Sequence, residues 1–84
     1  MKITLLYFGR PAEKLGIHQE SVEVPDTLQT LHELAAWLGQ RGEAWAHELT
    51  ESRVQFARNQ TLVARNTPFA AADEIAVFSP ISGG

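Results

Sequence analysis

The sequence predicts an α+β fold in which a mixed sheet packs against one main helix. The predicted elements follow the order strand, short helix, strand, long helix, short strands and last strand. The long helix has one apolar stripe, so it is expected to lie across a single face of the sheet. The first and last strands are both apolar, which makes them candidates for adjacent central positions. No repeat, linker or low-complexity segment divides the 84 residues, so residues 1–84 are predicted to form one domain.

The first three elements are short. Residues 2–8 (KITLLYF) form a mostly apolar run that is typical of a central strand covered on both faces. Residues 11–16 begin with proline and end with glycine, which predicts about one turn of helix. Residues 18–24 are predicted to form an exposed strand, with Val22 and Val24 on one face.

The main helix is predicted from about residue 27 to residue 38. Asp26 is placed to cap its first turn, and Gln29 follows three residues later, as in a capping box. Gly39 or Gly42 is predicted to end the helix. Apolar side chains recur along it at helical spacing: Leu28, Leu31, Leu34, Ala35 and Leu38.

The second half of the chain returns to the sheet. A second short helix is predicted over residues 43–49, and Trp37 and Trp45 are expected to pack the helices onto the sheet. Residues 54–58 and 61–64 are predicted to be short strands around a turn at residues 59–60.

The last predicted strand, Glu74–Phe78, leads into a tail with a side-chain-free tip. Pro80 cannot donate to a sheet ladder, so pairing should stop near it. Gly83 and Gly84 leave the α-carboxylate as the only functional group at the end. When extended, the six residues 79–84 reach about 20 Å. This slim arm indicates insertion into the active site of a partner; the alternative is a frayed terminus.

Composition excludes several classes of function. The net charge is −3, with no basic or aromatic-rich patch, so no nucleic-acid binding is predicted. The chain has no cysteine, which excludes disulfides, a cysteine nucleophile and Cys-ligated metals. It shows no signal peptide and no stretch of membrane-spanning length, so a cytoplasmic protein without membrane contact is expected.

No catalytic constellation or metal site is visible among the side chains. His18, His32 and His47 fall in three different elements. Asp73 and Glu74 are consecutive, so on a strand they point to opposite faces. Asp73 is predicted to be a turn residue instead. Chemistry is therefore expected at the tail, whose carboxylate becomes reactive only when another enzyme activates it, for example as a mixed anhydride with a nucleotide.

Several stretches together resemble the small subunit of molybdopterin synthase, the MoaD-type family of ubiquitin-like sulfur carriers. They are LLYF at 5–8, Glu13 with Gly16, NQTLV at 59–63, PF at 68–69, DEIAVF at 73–78 and PISGG at 80–84. The resemblance is weakest between residues 39 and 52. It implies a β-grasp, ubiquitin-like fold, which agrees with the predicted order of elements.

The resemblance also implies a mechanism in which the chain binds no cofactor of its own. A MoeB-like activating enzyme, related to ubiquitin E1, uses ATP to adenylate Gly84. A sulfurtransferase supplies the sulfur that turns the adenylate into a thiocarboxylate. The tail then enters a MoaE-type large subunit, in a heterotetramer, and donates sulfur to cyclic pyranopterin monophosphate. The small subunit is non-catalytic in this scheme. The implied tail consists of Pro80, Ile81, Ser82, Gly83 and Gly84.

The resemblance assigns an apolar partner-facing surface to Phe8, Leu62 and Phe78; the alternative for each is core packing. Ser79 stands where many relatives have a proline, so the tail is expected to be less stiff here. Other functions remain open: a carrier for thiamine synthesis or tRNA thiolation, a ubiquitin-like modifier that forms isopeptide bonds with lysines, and an interaction domain with an inert tail.

Overall fold

The computed structural model describes residues 1–51 and 53–80. Its strands are β1 (Lys2–Tyr7), β2 (Gln19–Glu23), β3 (Gln55–Arg58), β4 (Thr61–Val63) and β5 (Glu74–Phe78). Its helices are α1 (Arg10–Leu15), α2 (Leu31–Gly39), α3 (Glu43–Ala46) and a π-helix over His47–Glu51. None of the helices within these residues is long and apolar enough to cross a membrane.

The five strands form one sheet in the order β2-β1-β5-β3-β4. β1 and β5 pair in parallel, with Leu5 opposite Ile75 and Tyr7 opposite Val77. The other three pairings are antiparallel. The prediction that the first and last strands are neighbours is therefore confirmed, and the mixed sheet with its helices is the β-grasp arrangement that the resemblance implies.

The core lies between one face of the sheet and the helices. It combines alternate residues of β1 and β5 with the apolar stripe of α2, and Trp37 and Trp45 pack against it as predicted. The prediction that β1 is covered on both faces is wrong, because its other face, at Thr4 and Leu6, is only half-buried. The largest fully buried apolar side chains are Ile3, Leu5, Tyr7, Leu31, Leu34, Leu38, Leu49, Phe56, Ile75 and Val77.

The predicted start of α2 is also wrong. The helix begins at Leu31, and Thr30 caps it by accepting a hydrogen bond from the Glu33 N–H, while the Glu33 carboxylate accepts from the Thr30 N–H. Asp26 instead lies 2.7 Å from the amino group of Met1. Another segment holds the two residues before the helix: the Gln29 carbonyl accepts from the Phe69 N–H at 3.1 Å, and Thr30 forms a β-bridge with Pro68.

Of two further connections, one differs in extent from the sequence prediction and the other agrees with it. The second short helix is confirmed at Glu43–Ala46, but it continues as the π-helix to Glu51. The turn between β3 and β4 is confirmed at Asn59 and Gln60, whose φ angles are 50° and 72°. Two successive positive φ angles match the twist of a tight β-hairpin, and asparagine tolerates this region better than most residues.

Candidate functional site

The sheet face opposite the helices carries a band of apolar side chains, which we call the open face: Leu6, Phe8, Ala57, Leu62, Ala76 and Phe78. They alternate along their strands with the buried core residues. The strand register aligns Leu6 with Ala76, Ala76 with Ala57 and Ala57 with Leu62, so one row crosses four strands. Nothing in the described chain packs over this row as the helices pack over the core. An apolar sheet face of this kind is typical of a protein-binding surface.

Phe8 and Phe78 lie at the end of the open face from which the tail departs. β1 and β5 are parallel, so their carboxyl ends meet at this edge of the sheet. Phe8, Gly9, Phe78 and Ser79 line a shallow groove of about 380 Å³. Phe8 is 52% exposed although it is a large apolar residue. For Phe8, core packing is therefore wrong.

Gly9 turns the chain away from this groove into α1. Its φ is 61° and its ψ is −134°, a combination that side-chain-bearing residues rarely adopt. No other group approaches within 4 Å of the place where its side chain would stand. The glycine is therefore favoured by the backbone turn and not by a lack of space for a side chain.

Leu62 belongs to the same face but to a different part of it. It lies on the edge strand β4 and is 63% exposed, so core packing is wrong for this residue too. It borders a second groove of about 440 Å³, which is lined by Val54, Gln55, Phe56, Leu62, Val63, Ala64 and Arg65. The structure thus places the three predicted docking residues on one face without bringing Leu62 into the groove of Phe8 and Phe78. Their docking role stays a prediction.

The tail is described as far as Pro80, which is exposed and follows half-buried Ser79. The predicted reactive and spanning residues Ile81, Ser82, Gly83 and Gly84 lie outside the described residues. The structure shows where the tail begins. The chain leaves β5 beside Phe8 and Gly9, at the edge of the open face.

A hydrogen-bonded network at the other end of β5 was not predicted. The Asp73 carboxylate accepts from the Arg58 Nε at 2.9 Å, the Asn59 Nδ2 at 3.0 Å and the Ala70 N–H at 2.8 Å. The last of these bonds confirms the turn role that the sequence indicates for Asp73. Burial alone would raise the pKa of Asp73, but bonds from Asn59, Ala70 and Arg58 outweigh it and hold the pKa below its usual value.

A second polar cluster ties the helical layer to β2. Arg41 donates to both oxygens of Glu20, at 2.7 Å and 3.1 Å, and its guanidinium lies 4.5 Å from the centre of the Trp45 ring. The Tyr7 hydroxyl donates to Glu20 at 2.8 Å. Burial and this bond raise the pKa of Tyr7. The partners are far apart in sequence, so no local pattern signals the cluster.

The described part of the chain holds no group of three or more histidine, aspartate or glutamate side chains able to bind a metal ion. The nearest carboxylate to His47 is Glu51, 3.5 Å away on the same helical segment. The six side chains that form the open face are apolar, and none of these six is a nucleophile or a general acid. Polar side chains lie beside them: Ser79 lines the groove of Phe8 and Phe78, and Thr4 lies on the same face of β1 as Leu6. The face is suited to binding rather than to bond-making chemistry.

Comparison with known proteins points in the same direction. The chain matches the ThiS family over residues 5–84. It is 30% identical to the molybdopterin synthase sulfur carrier subunit of Haemophilus influenzae, over 98% of this chain and 99% of that protein.

Two solved structures are similar over nearly the whole chain. The small archaeal modifier protein 1 of Haloferax volcanii is 25% identical, with a TM-score of 0.73 and 95% of this chain and 98% of that chain covered. Subunits 1 and 2 of molybdopterin-converting factor from Helicobacter pylori were solved as a complex. One chain of it is 25% identical, with a TM-score of 0.65 and both chains fully covered, at 100%.

Proposed function

Since the chain belongs to the ThiS family, we propose that it is the sulfur carrier subunit of a molybdopterin synthase. The observation that carries the proposal is the match to a sulfur carrier subunit over 98% of this chain. The ThiS match runs through the terminal Gly83 and Gly84. The absence of cysteine from the sequence supports the proposal too, because the chain then has no thiol to compete with a sulfur carried at its terminus.

In the proposed reaction, the Gly84 carboxylate is a substrate of other enzymes. A MoeB-like activating enzyme transfers AMP from ATP to it and releases pyrophosphate. A sulfurtransferase, with a thiol as reductant, then supplies sulfur at the oxidation level of sulfide; this sulfur displaces AMP and leaves a thiocarboxylate. ATP is consumed by the activating enzyme and is not a cofactor of this chain. Glycine suits this position because it has no Cβ to widen the arm or to restrict its backbone.

The proposed acceptor site lies on a MoaE-type large subunit. The thiocarboxylate enters it and gives its sulfur to cyclic pyranopterin monophosphate, and the two subunits form a heterotetramer. Two features support such a partner. A similar chain in Helicobacter pylori was solved as a complex of subunits 1 and 2 of its converting factor. In this chain the tail leaves the sheet beside Phe8 and Phe78, at the rim of an uncovered apolar face.

Intact-mass spectrometry tests the proposal. The protein is incubated with ATP, a MoeB-like enzyme, a sulfurtransferase and its sulfur source. We expect a mass gain equal to the replacement of one oxygen by sulfur, located by fragmentation at Gly84. A chain that lacks Gly84 is the matched control and should show no gain. The activating enzyme is first shown to be active on its own carrier protein. If the mass of the full chain then stays unchanged, the proposal is refuted.

The second candidate is a protein modifier, and the likeness to an archaeal modifier protein favours it. The two functions share the activation of the terminal carboxylate and differ in the step that follows it. A modifier attaches its terminal carboxylate to a lysine amine of another protein, whereas a carrier ends as a thiocarboxylate. Lysine conjugates in the same incubation, made in the presence of cell extract and absent with the Gly84 deletion, would support the modifier.

A further inference from the structure

Of the three predicted docking residues, Leu62 lies on an edge strand, whereas Phe8 and Phe78 lie at the ends of inner strands. Phe8 directly follows β1 and Phe78 is the last residue of β5, and both strands have neighbouring strands on both sides. Leu62 lies on β4, which has three residues and pairs with β3 alone. A short edge strand with one neighbour can twist about that neighbour. Contacts at the two ends of the β3–β4 hairpin can therefore add to the ladder in holding Leu62 in place.

The Asn59 and Asp73 side chains do this at the closed end of the β3–β4 hairpin. Asn59 donates from Nδ2 to Asp73 at 3.0 Å and accepts from the Glu74 N–H at 2.9 Å through Oδ1. Its own N–H donates to the Glu74 carbonyl at 2.8 Å. Arg58, the residue before the turn, donates to Asp73 as well. The turn is thus fastened to the first residue of β5 at several points.

Arg65 holds the end of the same hairpin that lies away from the turn. Its guanidinium donates to the Leu49 carbonyl at 2.7 Å and lies 5.0 Å from the centre of the Phe56 ring. With both ends of the hairpin held, the row that joins Leu62 to Ala57 and Ala76 has one defined position on the open face.

We propose that Asn59 and Asp73 are positioning residues for partner docking: they fix the β3–β4 hairpin to β5 so that Leu62 meets the large subunit at a set distance from Phe78. This inference rests on the proposed function, because it assumes that the open face binds the large subunit. Asn59 and Asp73 act through Leu62 and need not touch the partner themselves.

A double-mutant cycle on binding separates positioning from general stability. Asn59→Gly keeps a residue that accepts positive φ and removes the side-chain bonds. We expect it to weaken the binding of the purified large subunit, measured by calorimetry, about fivefold. In a Leu62→Ala background the same change should weaken binding less than about twofold, because the side chain it positions is gone. In a Phe78→Ala background the full effect should remain.

Two further variants keep the test decisive. Asn66→Gly is the matched control: Asn66 is exposed in another turn, and it should leave binding unchanged. Asp73→Asn replaces the carboxylate by a group of similar size and should repeat the pattern of Asn59→Gly if the latter proves poorly folded. All variants are compared at a temperature where circular dichroism shows them folded.

The outcomes distinguish this inference from the proposed function. If the unmodified chain does not bind the large subunit and gains no sulfur, the proposed function fails. If the unmodified chain binds and the effects of Asn59→Gly and Leu62→Ala simply multiply, the positioning role is overturned while the function stands. The same conclusion follows if folded Asn59→Gly and Asp73→Asn bind as tightly as the unmodified chain.

Discussion

Phe78 and Val77 are consecutive residues of β5 that face opposite sides of the sheet. Val77 is fully buried in the core, whereas Phe78 is half-buried on the open face. We expect Phe78→Asp to weaken large-subunit binding about tenfold or more and to leave the chain folded, because it places a charge at an apolar contact. Calorimetry measures the binding, and urea unfolding monitored by circular dichroism measures the stability.

Val77→Asp is the matched control, since it puts the same charge one residue away into the core. It should unfold the protein, because a buried carboxylate without a partner is very costly. If Phe78→Asp destabilises the fold as strongly as Val77→Asp, Phe78 is a core residue and the docking role is wrong for it.

Asp73 gives the fold a sensitivity to acid. Its folded pKa lies below the unfolded value of about 3.9. The stability that this carboxylate contributes is therefore complete above about pH 4 and is lost as the pH falls through its folded pKa. Urea unfolding between pH 2 and pH 7 measures the effect.

Asp73→Asn should be less stable at neutral pH and should lose less further stability on acidification. Glu20 also has a lowered pKa, because bonds from Arg41 and Tyr7 outweigh the effect of burial. Some acid sensitivity is therefore expected to remain in the variant. An unchanged acid limb in Asp73→Asn would show that Asp73 contributes nothing to it.

Single residues were predictable from the sequence where the signal was local. The turn role of Asp73 follows from its place before a strand, and its bond to the Ala70 N–H confirms it. Its bonds to Arg58 and Asn59 were not predictable, because those residues precede it by 15 and 14 positions. Only the folded sheet brings the two segments together.

At the scale of elements, α2 shows how a local signal can mislead. The predicted capping pattern is Asp26 with Gln29, and a second pair with the same spacing, Thr30 with Glu33, was not predicted. The structure uses the second, because Thr30 forms a bridge with Pro68 and the Phe69 N–H donates to the Gln29 carbonyl at 3.1 Å. These contacts hold Gln29 and Thr30 against residues 68–69 and keep Gln29 out of the helix. Choosing between the patterns requires knowing where residues 67–69 lie.

Thr30→Ala removes one half of this capping box. We expect the free energy of unfolding to fall by about 1 kcal/mol, the usual effect of losing such a cap. Thr27→Ala is a suitable control, since Thr27 is exposed in the preceding turn and should change the stability by less than about 0.5 kcal/mol. Equal losses in the two variants, measured by urea unfolding, would contradict the assignment of the cap to Thr30.

At the scale of the whole molecule, the parallel pairing of β1 and β5 joins the two ends of the fold. β5 lies at the centre of the sheet and supplies Ile75 and Val77, both 0% exposed. A chain cut after Asp73 should therefore fail to fold, whereas a chain cut after Pro80 keeps every strand and should unfold cooperatively. Circular dichroism and heteronuclear NMR spectra distinguish these outcomes. A cooperatively folded fragment of residues 1–73 would contradict this account.

The architecture was predictable to a useful degree, and the docking surface less so. The order of elements, and the apolar character of the first and last strands of the chain, were enough to predict that β1 lies beside β5. The apolar run of residues 2–8 did not indicate the open face, because it suggested cover on both faces of β1. Only the resemblance pointed to an apolar surface at Phe8, Leu62 and Phe78. Leu6, Phe8 and Phe78 are apolar without being core residues, and composition alone does not separate a binding surface from an interior.

The place of β5 in the sheet also affects when the protein becomes able to act. A ribosome makes this strand after the other four described strands, so β1 lacks its parallel neighbour until residues 74–78 have been made. A chain that stops early lacks both the middle of its sheet and Phe78. The complete open face is therefore presented only after β5 has paired with β1, so partner binding is coupled to the last step of sheet formation.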